Sequence, residues 1–547
     1  MTVADSASAV EIPSPVKRPA GWSVAFDTIL ERGGDWLNPI LVKEARQALK
    51  SRQFVICFGL VLGLGWGWSL LGIAILSPGV HYIPGGAMML SGYVAILAVP
   101  VLVIVPFSAF RSLASEVEDG TFELLSITAL NARQIVTGKL GSAAIQLLIY
   151  FSALSPCVAF TYLLRGVDIV TIAAVLVYGF LASLLAAAIG LLCATLTRSR
   201  IWQGFLSIGL VLTLFFFGLW LVVGAIFAIA EEPIPYQEPG FLLVNVGAGV
   251  FYLSVVTMLV LAAASQITFA SENRSTRIRV VMLVQQLIWT GVMVTGTLMA
   301  PYKYWLIVAF TGAGLYWAVM GSFLVGEEAQ LSPRARRRLP QSLLGRVVFT
   351  WFNPGSGTGY IFCIANLLAL TVVLLFVDEM LRFTSVLPAG SSTGSWFALL
   401  LLAYLMFYLG LGRVLVVTLR RFVHVTQLAA VFLQLGMAFV GSLGSWVFQT
   451  WVIDISSYQV GWQLFNWGWS LAQIADRGIT AETGQALVFM SGLALVLFAV
   501  NLWLVVPAAS AVRMLVPERV LEDDSKGDPK RGPAAPARSP WQETDGG

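Results

Sequence analysis

Residues 169–193 read I-V-T-I-A-A-V-L-V-Y-G-F-L-A-S-L-L-A-A-A-I-G-L-L-C, twenty-five positions without a charge, with Asp168 before them and Arg198 and Arg200 after. Coiled as a helix, such a run extends about 37 Å, enough to cross the ~30 Å hydrocarbon layer of a bilayer with some tilt. Runs of the same kind, bounded by charges or by Pro and Gly clusters, lie near 54–76, 87–110, 139–164, 202–229 and 241–266. Six more follow near 280–300, 304–325, 359–377, 395–412, 423–449 and 485–508. None holds an Asp, Glu, Lys or Arg in its interior.

Composition supports the count. Of 547 residues, 58% are hydrophobic and 11% charged, less than half the roughly 25% charged share of a soluble domain. A soluble globule is excluded. The expected fold is an all-α polytopic membrane protein of about twelve transmembrane helices, or ten or eleven if one run is buried or re-entrant. No cleavable signal peptide is visible, because Asp5, Glu11, Lys17, Arg18, Asp27, Glu31, Arg32 and Asp35 precede any long apolar run. A cytoplasmic start places 29 of the 33 basic residues inside and only Arg165, Lys303, Arg382 and Arg477 outside. Internal loops alone give sixteen against four, so the positive-inside rule sets both termini in the cytoplasm.

Several function classes fall away. Cys57, Cys157, Cys193 and Cys363 all lie in apolar runs, which suggests neither a disulfide framework nor a zinc site. His81 and His424 are the only histidines, and no converging His/Asp/Cys cluster marks a membrane enzyme. The basic residues come in small groups between spans, without the basic face that nucleic acid requires. Gln146, Gln285, Gln286, Asn366, Gln427 and Gln434 lie within spans; bonding across helices is the expected role for each, and lining a pathway is the alternative.

Two cytoplasmic segments carry more information. In W-L-N-P-I-L-V-K-E-A-R-Q-A-L-K-S-R-Q, residues 36–53, Asn38 can cap a helix that begins at Pro39. Lys43, Arg46, Gln47 and Lys50 gather on one side of it; Leu37, Leu41, Ala45, Ala48 and Leu49 gather on the other, where Glu44 and Arg52 fit poorly. This is an amphipathic interfacial helix with its basic side toward anionic headgroups of the membrane lipids. Packing on the protein's own cytosolic surface is the alternative. The second segment, 111–139, carries Glu116, Glu118 and Asp119, then Gly120 and Thr121 as a breaker and possible cap. Phe122, Leu124, Leu125 and Ile127 give the short helix that follows an apolar face, and Asn131 with Gln134 forms a capping box for the next helix. On periodicity alone, docking of a cytosolic partner and simple loop compaction are equally supported.

E-D-G-T-F-E-L-L-S-I-T-A-L-N-A-R-Q-I-V-T-G-K, residues 118–139, resembles the signature loop of ABC-2-type transporter permeases, the membrane subunits of ATP-driven exporters. Glu118, Gly120, Thr121, Glu123, Leu124, Leu125, Gly138 and Lys139 match that pattern, and Ala129 stands where the family often has proline. The stretch after Asn38 resembles the same family's connecting helix. The resemblance covers about residues 36–270. It implies a multi-pass protein of the bacterial cytoplasmic (inner) membrane, working as a homodimer or heterodimer of permease subunits. It also implies a separate ATPase subunit, which holds the short helix 121–129 through Glu118, Gly120, Thr121, Phe122, Glu123, Leu124 and Leu125. ATP and magnesium belong to that partner. This chain has no G-x-x-x-x-G-K-[ST] and is expected to be no enzyme and to hold no cofactor or metal of its own.

The chain then divides into a flexible cytoplasmic N-terminus (1–35), a six-helix permease unit (36–270), two further spans with a basic loop (271–350), a divergent four-helix module (351–517) and a disordered tail (518–547). The four-helix module includes an external loop, 450–484, long enough for a helix on the membrane surface. Trp36-x-Asn38-Pro39 returns faintly as Trp351-x-Asn353-Pro354. Two other functions compete with export: an ion-coupled secondary transporter, for which the carbonyls of Pro100, Pro106 or Pro156 are candidate sodium ligands, and a non-transporting scaffold of a membrane complex.

Overall fold

The computed structural model describes residues 38–77, 84–119, 131–197, 199–230, 236–268, 273–299, 305–328, 349–383, 393–455 and 457–509, and every regular element among them is helical. The readings made of the tails, of the hairpin helix 121–129 and of the basic loop after residue 328 lie outside these residues. Helix α1 (Pro39–Leu49) precedes the first span, α2 (Arg52–Leu76). Then come α3 (Gly86–Glu118), α4 (Ala132–Leu163), α5 (Ile169–Thr195), α6 (Arg200–Ala230) and α7 (Pro239–Ile267). The order continues through α8 (Thr276–Met299), α9 (Trp305–Val325), α10 (Ser356–Phe383), α11 (Thr393–Leu419), α12 (Gln427–Val452), α13 (Trp467–Arg477) and α14 (Ala481–Ala509). Among the described residues twelve helices are long and apolar enough to cross a membrane, namely all of these but α1 and α13. The protein is a polytopic all-α membrane protein with the architecture of a multi-span transporter.

Contacts divide the chain into two units, Met1–Gln237 with Leu259–Ile267, and Glu238–Met258 with Thr268–Gly547. In the first, α3 turns through a π-helical segment, Val99–Ile104, around Pro100. A proline has no N–H to give the helix, and a wider turn absorbs that loss. The Pro100 carbonyl accepts from the Val105 N–H, and a Cβ placed at Gly190 of α5 would stand 3.0 Å from the Pro106 oxygen. The Pro100 carbonyl is thus taken by a hydrogen bond, and the Pro106 carbonyl lies against α5 at Gly190. Ser183 of α5 donates to the Val101 carbonyl, whose π-type partner five residues on would be Pro106, which has no N–H to give.

In the second unit α11 is the most enclosed span, packed among α9, α10 and α14. Trp317, Phe310, Tyr360, Cys363, Ala398, Leu400 and Met490 are sealed at its core. Gln285 and Gln286 of α8 do bond across helices, accepting from the Tyr316 hydroxyl at 2.5 Å and from Trp317 Nε1 at 2.8 Å, and Gln427 donates to the Phe323 carbonyl at 3.0 Å. Gln146 and Asn366 instead turn to carbonyls of their own helices. The loop 450–484 holds a helix, α13, and it is docked onto the bundle. Tyr404 and Tyr408 of α11 donate to the carbonyls of Leu464 and Phe465 just before it, while Ser470, Leu471 and Ile474 face inward. Beneath it Gln463 bonds Gln449 at 2.6 Å and Asn466 bonds Gln463 at 2.8 Å, all three buried.

Three helices run past the span ends expected from hydropathy. The expected span 395–412 is part of a helix that continues to Leu419, and 280–300 is part of one that begins at Thr276. Arg413 and Arg279, read as loop cations, are therefore helical and buried, and Asp378, read as an external acidic residue, is buried within α10. A hydropathy reading stops at the first charge. The backbone ladder does not, provided the charge finds a partner within the bundle.

Candidate functional site

The site lies at the root of the polar hairpin, where α1, the end of α3 and the start of α4 meet. Asn38 caps α1 through Oδ1, which accepts from Ile40 N at 3.1 Å, and its Nδ2 donates to the Gln134 carbonyl of α4. The Gln134 side chain accepts from Asn131 N at 2.9 Å, fixing the first turn of α4. Helix α1 then crosses α4 over two glycines. A Cβ at Gly138 would stand 2.9 Å from Ile40 Cβ, and one at Gly141 would stand 2.8 Å from Leu41 Cδ1. A side chain at Gly138 would press on the Cβ of Ile40 itself, so the apolar face of α1 packs directly on α4 at this crossing. Ile40 and Ala45 are buried there.

Between the glycines, Lys139 points into the junction with 2% of its side chain exposed. Its ammonium meets Glu44 Oε1 of α1 at 3.2 Å and Glu116 Oε1 of α3 at 3.0 Å. It also donates to Ser112 Oγ at 2.9 Å and to the Ser112 carbonyl at 3.3 Å. Ser112 Oγ donates in turn to Glu44 Oε2 at 3.4 Å. The two carboxylates keep 13% and 18% of their surface. One buried cation thus ties three elements together, and the cluster carries one net negative charge. Lys43 joins Glu44, Glu116 and Lys139 around a cleft of about 160 Å³ that opens beside it.

Of the residues assigned to partner docking, Glu118 is the last residue of α3 and half-buried. Gly120, Thr121, Phe122, Glu123, Leu124 and Leu125 lie outside the described residues. Lys43, Arg46 and Lys50 are exposed on the outer side of α1. Sequence reasoning missed the partnership of Glu44, Ser112, Glu116 and Lys139. Its one available signal was Glu44 itself, an acid on the apolar side of an amphipathic helix.

A second ion-paired joint lies in the other unit. Arg279, fully buried, pairs with Glu327 at 2.5 Å and donates to the Trp351 carbonyl at 2.5 Å, Thr358 Oγ1 at 3.1 Å and the Gly355 carbonyl at 3.2 Å. Glu327 further accepts from Ser275 Oγ at 2.7 Å and from Gly355 N at 3.1 Å. The second Trp-x-Asn-Pro stretch is therefore a clamp on an arginine, where Asn38 and Pro39 of the first start a helix. Gly355 sits at φ 144°, a backbone region that side chains avoid. Among the described residues no group of three or more His, Cys, Asp or Glu side chains is placed to hold a metal.

No family model, curated protein or solved structure matches the chain. Its function is read from the geometry and the residues that produce it.

Proposed function

We propose that the chain is the membrane permease subunit of an ATP-driven exporter of the ABC-2 type, dimeric, and powered by a separate nucleotide-binding subunit that grips the hairpin between α3 and α4. The observation that carries this reading is the Lys139 junction, which binds both roots of that hairpin to α1. A push on the hairpin would then reach α1, α3 and α4 as one body rather than dissipate in a loose loop. Such a rigid coupling lets a partner's closure bias an inward/outward equilibrium. The resemblance of residues 118–139 to the signature loop supports a nucleotide-binding subunit as that partner, with Phe122, Glu123, Leu124 and Leu125 as its contacts. ATP and magnesium act in that partner, in a bacterial inner membrane. The apolar, aromatic-rich spans suit an apolar or amphipathic cargo.

Affinity isolation in mild detergent, with an ATPase assay on the eluate, tests the proposal. A nucleotide-binding subunit co-purifies with the parent chain and is lost from the F122D/L125D variant. A chain that purifies alone and moves substrate on an ion gradient would establish secondary transport instead, and a stable complex whose transport ignores ATPase-dead partners would establish a scaffold.

A further inference from the structure

With its apolar face taken by α4, helix α1 presents an outer stripe that none of the described residues of the unit covers. Lys43, Arg46, Gln47 and Lys50 recur at helical spacing along about 10 Å of axis, and all four are exposed. With Pro39 and Val42 they line an open concavity of about 460 Å³. The stripe contains no acid, because Glu44, the only carboxylate of α1, is turned inward onto Lys139. Its position is equally restricted. Ser51 caps α2 by accepting from Phe54 N at 3.2 Å, so the first span begins immediately after Lys50 and the stripe ends at the membrane surface.

We infer that this face of α1 binds the phosphate of an anionic phospholipid headgroup, with Lys43, Arg46 and Lys50 as its cationic ligands and Gln47 as a neutral donor. A phosphodiester carries the one charge and the acceptor oxygens that three cations and an amide can share. Basic groups clustered directly beside a membrane span are also where anionic lipid accumulates. Lys43 borders both this concavity and the Lys139 cleft, which places a bound headgroup next to the junction. The inference does not depend on the exporter reading.

The test uses the full chain in nanodiscs of phosphatidylcholine with phosphatidylglycerol, labelled with a photoactivatable analogue of either lipid. Cross-links are mapped by peptide mass spectrometry. The phosphatidylglycerol analogue labels the segment 39–50, the phosphatidylcholine analogue does not, and labelling falls as salt is raised. At about fivefold for each lost charge, K43Q/R46Q/K50Q reduces labelling on the order of 100-fold. The charge-preserving K43R/R46K/K50R retains it, and R200Q/R277Q/R421Q, which removes three other exposed cations, leaves it unchanged. Equal labelling by both analogues, or salt-independent labelling of the parent, would overturn the inference without reference to any variant. Competition by soluble glycerol phosphate as effective as that of the lipid would overturn it too, as would protection of the segment by a bound protein subunit.

Discussion

Replacing Lys139 with methionine removes the cation from between two carboxylates and leaves the hydrocarbon of the side chain in place. At 3.0 and 3.2 Å each attraction is about 5 kcal/mol for an effective dielectric of ~20, before desolvation is counted. The net loss is smaller than the sum of the two. Removing one member of a buried pair costs roughly 3–5 kcal/mol, because the remaining charge is left without compensation. Glu44 and Glu116 keep 13% and 18% exposure, so water screens part of that and about 2–4 kcal/mol is expected. In thermal unfolding of the purified protein, a chain of 547 residues, this is a drop on the order of 2–4 °C. The decisive comparison is the neutral triple variant E44Q/E116Q/K139M, which has no charge left to strand and returns to within about 1 kcal/mol of the parent. The same K139M change lowers ATPase activity recovered with the chain. A K139M protein as stable as the parent, or a triple variant as damaged as the single one, refutes the view that Lys139 holds the three elements together.

The remaining expectations follow the same geometry. Gly138→Val drives a side chain into Ile40, costs about 1–3 kcal/mol by overpacking, and lifts α1, so a cysteine placed at the buried Ala45 becomes reactive to maleimide. R279M strands Glu327 and costs roughly 3–5 kcal/mol, while R279M/E327M recovers most of it; R279K does not, since one ammonium cannot reproduce bonds to Trp351, Thr358, Gly355 and Glu327 together. At the start of α5, burial alone would raise the Asp168 carboxyl, but hydrogen bonds from the Thr171 hydroxyl and from backbone N–H groups outweigh it and hold the group below the usual carboxylate range. Its stabilisation is present above about pH 4 and lost as pH falls through the lowered value, so D168N flattens the acid limb of a stability-versus-pH curve.

Much of this architecture was legible in the sequence because lipid imposes a simple rule on length and polarity. The twelve spans, the Asn38–Pro39 cap of α1 and the cross-helix bonds of Gln285 and Gln286 all follow from local patterns. What escaped was long-range pairing. Arg279 and Glu327 lie 48 residues apart and look like two unrelated loop charges until the helices bring them together. Arg413 likewise ended a predicted span, yet it is buried and donates to the carbonyl and side-chain oxygens of Asn501 on α14 at 2.9 and 2.8 Å. At the candidate site the sequence marked Gly138 and Lys139 only as parts of a resemblance. The structure supplies their physical work: the glycine admits α1, and the lysine fastens it to Glu44 and Glu116.

A motor subunit can reach the hairpin between α3 and α4 only where that hairpin faces the cytosol. Single cysteines at Ser115, exposed near the end of α3, and at Ser126 address this with a membrane-impermeant maleimide, in a background lacking the four native cysteines. Both sites are predicted to react in inverted membrane vesicles and to stay unlabelled in intact cells; labelling from outside intact cells would contradict the topology and the coupling together.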